Sequence, residues 1–252
     1  MALAPVAVQM YTLRDLTKDD FEGTLRAAAD VGYKGIELAG FPDMPAEQFR
    51  ILLNELDVQA AGAHISLQLL EEQLDAMLTY CVGIDCHYVV CPFLPETRRR
   101  SGTDYRNLGR QLDEIGARCQ QHGLQFCYHN HAFEFERFDG RFGMEILLEA
   151  TDPALVQWEV DAFWVEKAGV NASDMIRAYS GRCPLIHLKD MTKDESKTFA
   201  EVGEGSVDFR PIFAAGDAGG AAWYIVEQDR CQRPPLESVR ISLQHLKEWG
   251  RA

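Results

Sequence analysis

The sequence predicts one (β/α)8 TIM barrel spanning residues 1–252. Three observations support this. Eight short apolar runs of strand character alternate with eight helical stretches from end to end, an order that implies a parallel sheet. The length suits eight β/α units closed around one core. No glycine-rich phosphate loop follows the first run, as an open dinucleotide-binding sheet would require.

The elements follow in order. VAVQMY (6–11) is the first strand, and an amphipathic helix occupies 18–32, with Thr17 and Asp20 as a capping-box-like start. KGIELAG (34–40) precedes a helix over 45–56 with Pro45 in its first turn. VQAAGAHI (58–65) precedes one Leu/Glu-rich helix, 67–82. HYVVCPF (87–93) leads through a polar loop to a helix over 104–121, ended by His122-Gly123. The fifth strand is LQFCYHNH (124–131); the alternating segment after it turns at Asp139-Gly140, which predicts a small hairpin over the barrel mouth. A short helix over 142–150 comes next. VQWEVD (156–161) leads into a loop and a helix near 173–179. PLIHLKD (184–190) leads into a long loop holding VGEGSVDF (202–209), then a short helix. WYIVEQD (223–229) leads to the final helix, 236–249. No linker, low-complexity tract or internal repeat interrupts the series, so one domain is expected.

Composition narrows the partners. The net charge is −14, the wrong sign for a surface that neutralises phosphates, so no nucleic-acid partner is expected. Arg98, Arg99 and Arg100 form the one compact basic cluster; they read as a solvated loop, or else as a grip on an anionic substrate group. No apolar run reaches membrane-span length, and the N-terminus lacks the basic and apolar regions of a signal peptide. Seven cysteines without a CxxC pair read as reduced thiols in a cytoplasmic protein, Cys91 and Cys127 being small hydrophobes within strands.

The polar residues gather at strand ends. In a parallel barrel the C-terminal ends of all strands meet on one face, where inward side chains recur with period two. Asp161, His187 and Glu227 end the sixth, seventh and eighth strands, and Glu134 lies just past the fifth. Two Glu, one Asp and one His suit a divalent metal. His129 or His131, of shared parity on strand five, can supply the fourth ligand in place of Glu134. Glu37 and His64 end strands two and three; each reads as a site residue or as a hydrogen-bonded barrel residue. Glu159 shares parity with Asp161 and needs a buried partner, Lys189 being expected, or a bulge that turns it outward. Tyr11, Phe93, Phe163 and Trp164 can wall a pocket.

With VQMYTLRD (8–15), GYKGIEL (32–38), YHNHAFEF (128–135), WEVDAFW (158–164), HLKD (187–190), VGEGSVDF (202–209) and VEQD (226–229) in this order, the chain resembles the sugar phosphate isomerase/epimerase superfamily, the xylose isomerase-like barrels. The resemblance covers essentially the whole chain. It implies a metal site built from Asp161, His187 and Glu227, with Glu134 as the strand-five carboxylate and His129 as the alternative. Relatives often carry a second His shortly after the strand-six Asp; AFWVEK, with Trp164, stands there in this chain, which implies one divalent ion (Mn2+, Mg2+, Co2+ or Zn2+) and argues against the apurinic-endonuclease branch. The implied substrate is a sugar or polyol. Glu134 and Glu227 would take and return a proton beside a carbonyl. His64, His129, His131, Lys189, Trp164, Tyr11 and Glu37 would contact substrate. The leading expectation is isomerisation or epimerisation. The alternatives are an inosose dehydratase-type or keto-glycoside lyase and, further off, an endonuclease or a non-catalytic sugar-binding barrel. Association into a homo-oligomer is expected only by analogy with barrels of this kind.

Overall fold

The computed structural model describes residues 3–252 and shows a closed eight-stranded parallel barrel wrapped by helices. The barrel strands are β1 (Val6–Gln9), β2 (Gly35–Ala39), β3 (Gln59–His64), β4 (Tyr88–Cys91), β5 (Gln125–His129), β6 (Val156–Asp161), β7 (Leu185–Leu188) and β8 (Trp223–Val226). Each pairs with its sequence neighbours, and β1 closes the ring on β8.

The two faces of every strand do different work. Outward residues such as Phe126, Tyr128, Trp158, Val160, Ile186 and Tyr224 pack against the helices in the main core. Inward residues change character along the strand. Ala7, Ala61, Val90, Cys127, Leu185, Trp223 and Ile225 plug the lower barrel. Two residues further along, the same face carries Gln9, His129, His187 and Glu227, all buried. The apolar plug thus supports a polar layer at the C-terminal end, where barrel sites form. A register shift in the β2–β3 pairing sets Glu37 opposite Gly62. A Cβ at Gly62 would lie 2.5 Å from the Glu37 Oε1, so glycine there leaves room for the carboxylate.

Most elements lie close to their expected places, with five local differences. Asp20 is itself the cap of the first amphipathic helix, accepting from the Gly23 N–H, so the helix starts at Phe21 and Thr17 folds back on Arg14. Pro45 caps the helix Ala46–Glu55 from just outside it. The expected helix over 67–82 is two, Leu67–Glu72 and Leu74–Gly83, because Gln73 leaves helical geometry at φ −137°. A helix Ala162–Lys167 follows β6 directly, capped by the Asp161 side chain. The hairpin is present as Arg137–Phe138 paired with Arg141–Phe142, its turn made by Asp139 and Gly140 at φ 53° and 83°. The long loop after β7 adds a second small hairpin, Asp190–Met191 with Phe199–Ala200. Among the described residues no helix is long and apolar enough to cross a membrane, and all seven cysteines are free thiols.

Candidate metal centre

The parallel registers bring the polar ends level. Asp161 sits opposite His187 across β6 and β7, and His129 opposite Glu159 across β5 and β6. Donor atoms of His129, Asp161, His187 and Glu227 lie within 4.8 Å of one another. This quartet comes from four adjacent strands and is buried except where Glu227 and His129 face a cavity of about 570 Å³ at the barrel mouth. His64, His131, Lys189, Asp229 and Tyr11 face the same cavity.

Beneath the quartet lies a second layer of carboxylates. Glu159 Oε2 is 2.8 Å from His129 Nδ1 and 2.7 Å from His64 Nε2. Glu37 Oε2 is 2.7 Å from His187 Nε2 and accepts from the Gln9 amide at 2.8 Å. Each carboxylate therefore holds the far nitrogen of an imidazole whose near nitrogen faces Asp161 or Glu227. This arrangement orients metal-binding histidines and selects their tautomer. It also corrects the expectation for Glu159: its partners are imidazoles, not Lys189, and no bulge turns it outward. Lys189 instead lies 2.8 Å from Asp161 Oδ2, 2.7 Å from Glu227 Oε2 and 2.8 Å from Asp229 Oδ1.

The charges explain the titration behaviour. Burial opposes charge on His64, yet the Glu37 and Glu159 carboxylates outweigh it, and the imidazole is pushed up to about 10. The same pair lifts His187 well above its ordinary value. Burial and the charges on His187 and His64 hold His129 well below its ordinary value, so it is neutral. A neutral His129 donates from Nδ1 to Glu159 and leaves its Nε2 lone pair 3.5 Å from Asp161 Oδ2. Burial raises Asp161 to about 6, against the pull of Lys189 and His187. Burial opposes ionisation of Glu227 too, but Lys189 and His187 hold it ionised. His131 is lowered to about 3 by burial and by Lys189, and its Nδ1 has no partner.

The donor set suits a divalent ion. Five carboxylates (Glu37, Glu159, Asp161, Glu227 and Asp229) converge with one permanent cation, Lys189. Protonation of His64 reduces the excess negative charge without cancelling it; a divalent ion would offset more of it, and His187, lifted by the same carboxylates, would give up its proton to bind the ion. Asp161 Oδ2, although close to Lys189, has no well-aligned hydrogen bond; Glu37 Oε1 and Glu159 Oε1 have none either. Two imidazoles and two carboxylates are a set that Mn2+, Co2+ or Zn2+ accepts. His64, His129, Glu159 and His187 also come within 4.8 Å of one another, but Glu159 there is already engaged by two imidazoles.

Glu134 does not join the quartet. It sits in the short turn Ala132–Phe135, fully buried, on the helix-facing side of β5. The Tyr128 hydroxyl donates to it at 2.5 Å and the His131 N–H at 2.7 Å. Tyr128 is an outward residue, and by bonding it the carboxylate turns away from the mouth; burial raises it to about 8. His129, inward on β5, is the strand-five residue whose donor atom lies with those of Asp161, His187 and Glu227. Trp164 lies behind His131, ring centroids 5.4 Å apart, and does not line the cavity. Phe163 is buried against Phe199. Tyr11 and Phe93 do wall the cavity, whereas Glu37 is fully buried behind His64 and His187 and does not line it. Asn130 was not singled out in sequence: its Oδ1 accepts from Trp158 Nε1 and from the Asp161 N–H, at 2.8 and 2.9 Å. The buried indole three residues before the strand-end carboxylate is the available clue, since it needs an acceptor. Asp229 shares Glu227's parity and is the other residue the ligand pattern passed over.

Known proteins share this arrangement of chain. The xylose isomerase-like TIM barrel family model matches residues 25–249. A curated inosose dehydratase from Clostridium perfringens is 23% identical, covering 98% of this chain and 96% of its own. A solved sugar phosphate isomerase/epimerase from Parabacteroides distasonis superposes with a TM-score of 0.83 at 20% identity, covering 98% of this chain and 94% of that one. The IolI protein, solved with a zinc atom bound, superposes with a TM-score of 0.77 at 13% identity, covering 96% and 97%. Matched over most of its length by the family model, the chain belongs to the xylose isomerase-like TIM barrel family.

Proposed function

We propose that this protein is a metal-dependent enzyme that removes a proton from the carbon beside the carbonyl of a sugar-derived or cyclic polyhydroxy ketone, with loss of a neighbouring hydroxyl as water. The observation that carries this is the convergence of His129, Asp161, His187 and Glu227 beside the cavity, which His129 and Glu227 line, each imidazole anchored from behind by a carboxylate. These four residues would hold a divalent ion, which supplies Lewis-acid stabilisation for negative charge developing on a carbonyl oxygen.

The chain's own groups supply the rest. Glu227 is ionised and faces the cavity, so it can accept the proton from carbon. The C–H electron pair forms a C=C bond as the neighbouring C–O bond breaks. His64, protonated and also facing the cavity, gives its proton to the departing hydroxyl, which leaves as water. Lys189 and Asp229 offer hydrogen bonds to the remaining hydroxyls.

Isomerisation or epimerisation is the second reading, favoured by the name of the Parabacteroides structure. Epimerisation by the pair Glu134 and Glu227 meets an obstacle, because Glu134 does not reach the cavity. A single carboxylate base on one side of the substrate suits elimination better than proton return to the opposite face. The name of the Clostridium relative points the same way.

The test is a panel of inososes and ketoses in deuterated water with Mn2+, Co2+ or Zn2+. A product lighter by one water, and loss of activity by roughly 10²–10⁴-fold in Glu227→Gln, are expected. Deuterium uptake without water loss selects the second reading. Neither deuterium uptake nor water loss with any metal refutes both.

A further inference from the structure

Lys189 stands in the way of any ion that the quartet would take. Its ammonium lies 2.8 Å from Asp161 Oδ2 and 2.7 Å from Glu227 Oε2. These are the oxygens turned toward the imidazoles: Asp161 Oδ2 is 3.5 Å from His129 Nε2, and Glu227 Oε2 is 2.8 Å from His187 Nδ1. The ammonium therefore rests against the donor atoms that would hold a divalent cation. In a buried site two cations that close repel strongly, so the same oxygens cannot serve both.

The third contact of the ammonium is of another kind. It donates an aligned hydrogen bond to Asp229 Oδ1 at 2.8 Å. Its approach to Asp161 is close but misaligned, and Asp161 Oδ2 is left without a hydrogen bond. Glu227 Oε2 is already bonded by His187. Asp229 lies outside the quartet, partly exposed and facing the cavity. The backbone is fixed at both ends of this pair. Arg14 donates to the Asp229 carbonyl at 2.8 Å. Next to Lys189, the Asp190 carboxylate accepts the N–H groups of Met191, Gly203, Gly205 and Val207. What remains free to move is the flexible four-carbon stem of the lysine.

We infer that Lys189 is a resting counter-ion for the metal centre: without metal its ammonium bridges Asp161 and Glu227, and a divalent ion displaces it onto Asp229 at the cavity wall. The bridge keeps two buried carboxylates together that would otherwise repel. It also lowers metal affinity, because the incoming ion must break two ion pairs. Once displaced, the ammonium lies where substrate hydroxyls enter, so loading the metal brings a hydrogen-bond donor to the substrate side. The inference rests on reading the quartet as a metal centre, and the two ideas fail separately.

The experiment measures Mn2+ binding by calorimetry in wild type, Lys189→Met, Asp229→Asn and the double variant. Lys189→Met is expected to bind Mn2+ roughly tenfold or more tightly, since the ion no longer competes with an ammonium. Asp229→Asn should weaken binding several-fold while Lys189 is present, and by less in the Lys189→Met background. A second measurement needs no variant. Brief treatment of wild type with acetic anhydride, read by mass spectrometry, should acetylate Lys189 several-fold faster with saturating Mn2+ than with chelator, because the amine is 1% exposed until it is displaced. Unchanged or weaker Mn2+ binding in Lys189→Met, equal losses from Asp229→Asn in both backgrounds, or equal labelling in both states overturns the inference and leaves the metal centre standing. No Mn2+ binding by wild type or by Lys189→Met overturns both.

Discussion

Glu134→Gln separates the two candidate strand-five residues through the charge each must carry. A carboxylate that binds a divalent ion is ionised at neutral pH. In this structure Glu134 is buried against Tyr128 and raised to about 8, so it holds its proton in the native state. An unfolded glutamate releases that proton near its ordinary value of 4.5. Between these two values the native chain binds one more proton than the unfolded chain. Its contribution to stability is then complete below 4.5 and is lost as pH rises through about 8. Each pH unit removes up to about 1.4 kcal/mol, so the window of three and a half units has a ceiling of about 5 kcal/mol. Gln carries no such proton. Urea unfolding of both proteins from pH 5 to 9, with chelator present, should show the variant gaining on wild type by a few kcal/mol as pH rises. Taking the difference cancels every other titrating group. A difference that stays flat across the window would mean that Glu134 is ionised in the fold and would refute the reasoning. Calorimetry with Mn2+ or Zn2+ gives an independent check: Glu134→Gln should leave affinity nearly unchanged, whereas His129→Ala should lower it by roughly 100-fold or more.

Two more outcomes follow from the polar layers. Glu159→Gln removes the charge behind His129 and His64, and should weaken divalent-ion binding roughly 10–100-fold, read by competition with a metal dye; unchanged affinity would show that the carboxylate layer does not orient the ligands. Lys189→Met strips the ammonium from Asp161, Glu227 and Asp229 and should destabilise metal-free protein by about 3–5 kcal/mol in urea unfolding, with saturating metal recovering much of the loss. Equal stability of variant and wild type without metal would show that these carboxylates are not ionised together.

Much of this protein is legible in one dimension. The barrel follows from the strict alternation of runs, because each strand must bury both faces and only parallel packing under helices does so. Asp161, His187 and Glu227 are readable as a group because period-two parity and strand-end position are properties of sequence, and parallel register then makes strand ends level. Other features depend on which surfaces meet. Glu134 and His129 are five residues apart and both chemically competent; the choice between them turns on Tyr128, whose outward hydroxyl captures the Glu134 carboxylate on the wrong side of the strand. Glu159 is a costly buried charge until β3 and β5 bring His64 and His129 to it from 95 and 30 residues away. The two-sided mouth is invisible in the same way. Phe41, Leu69 and Met77 read singly as ordinary core or loop residues, and only closure of the ring sets them beside Tyr11 and Phe93 as one wall opposite the charged residues. Sequence by itself determined what each strand end carries, since parity is local. Tertiary structure decided which carboxylates join the candidate metal quartet and what faces them, since both are set by side chains that arrive from other strands.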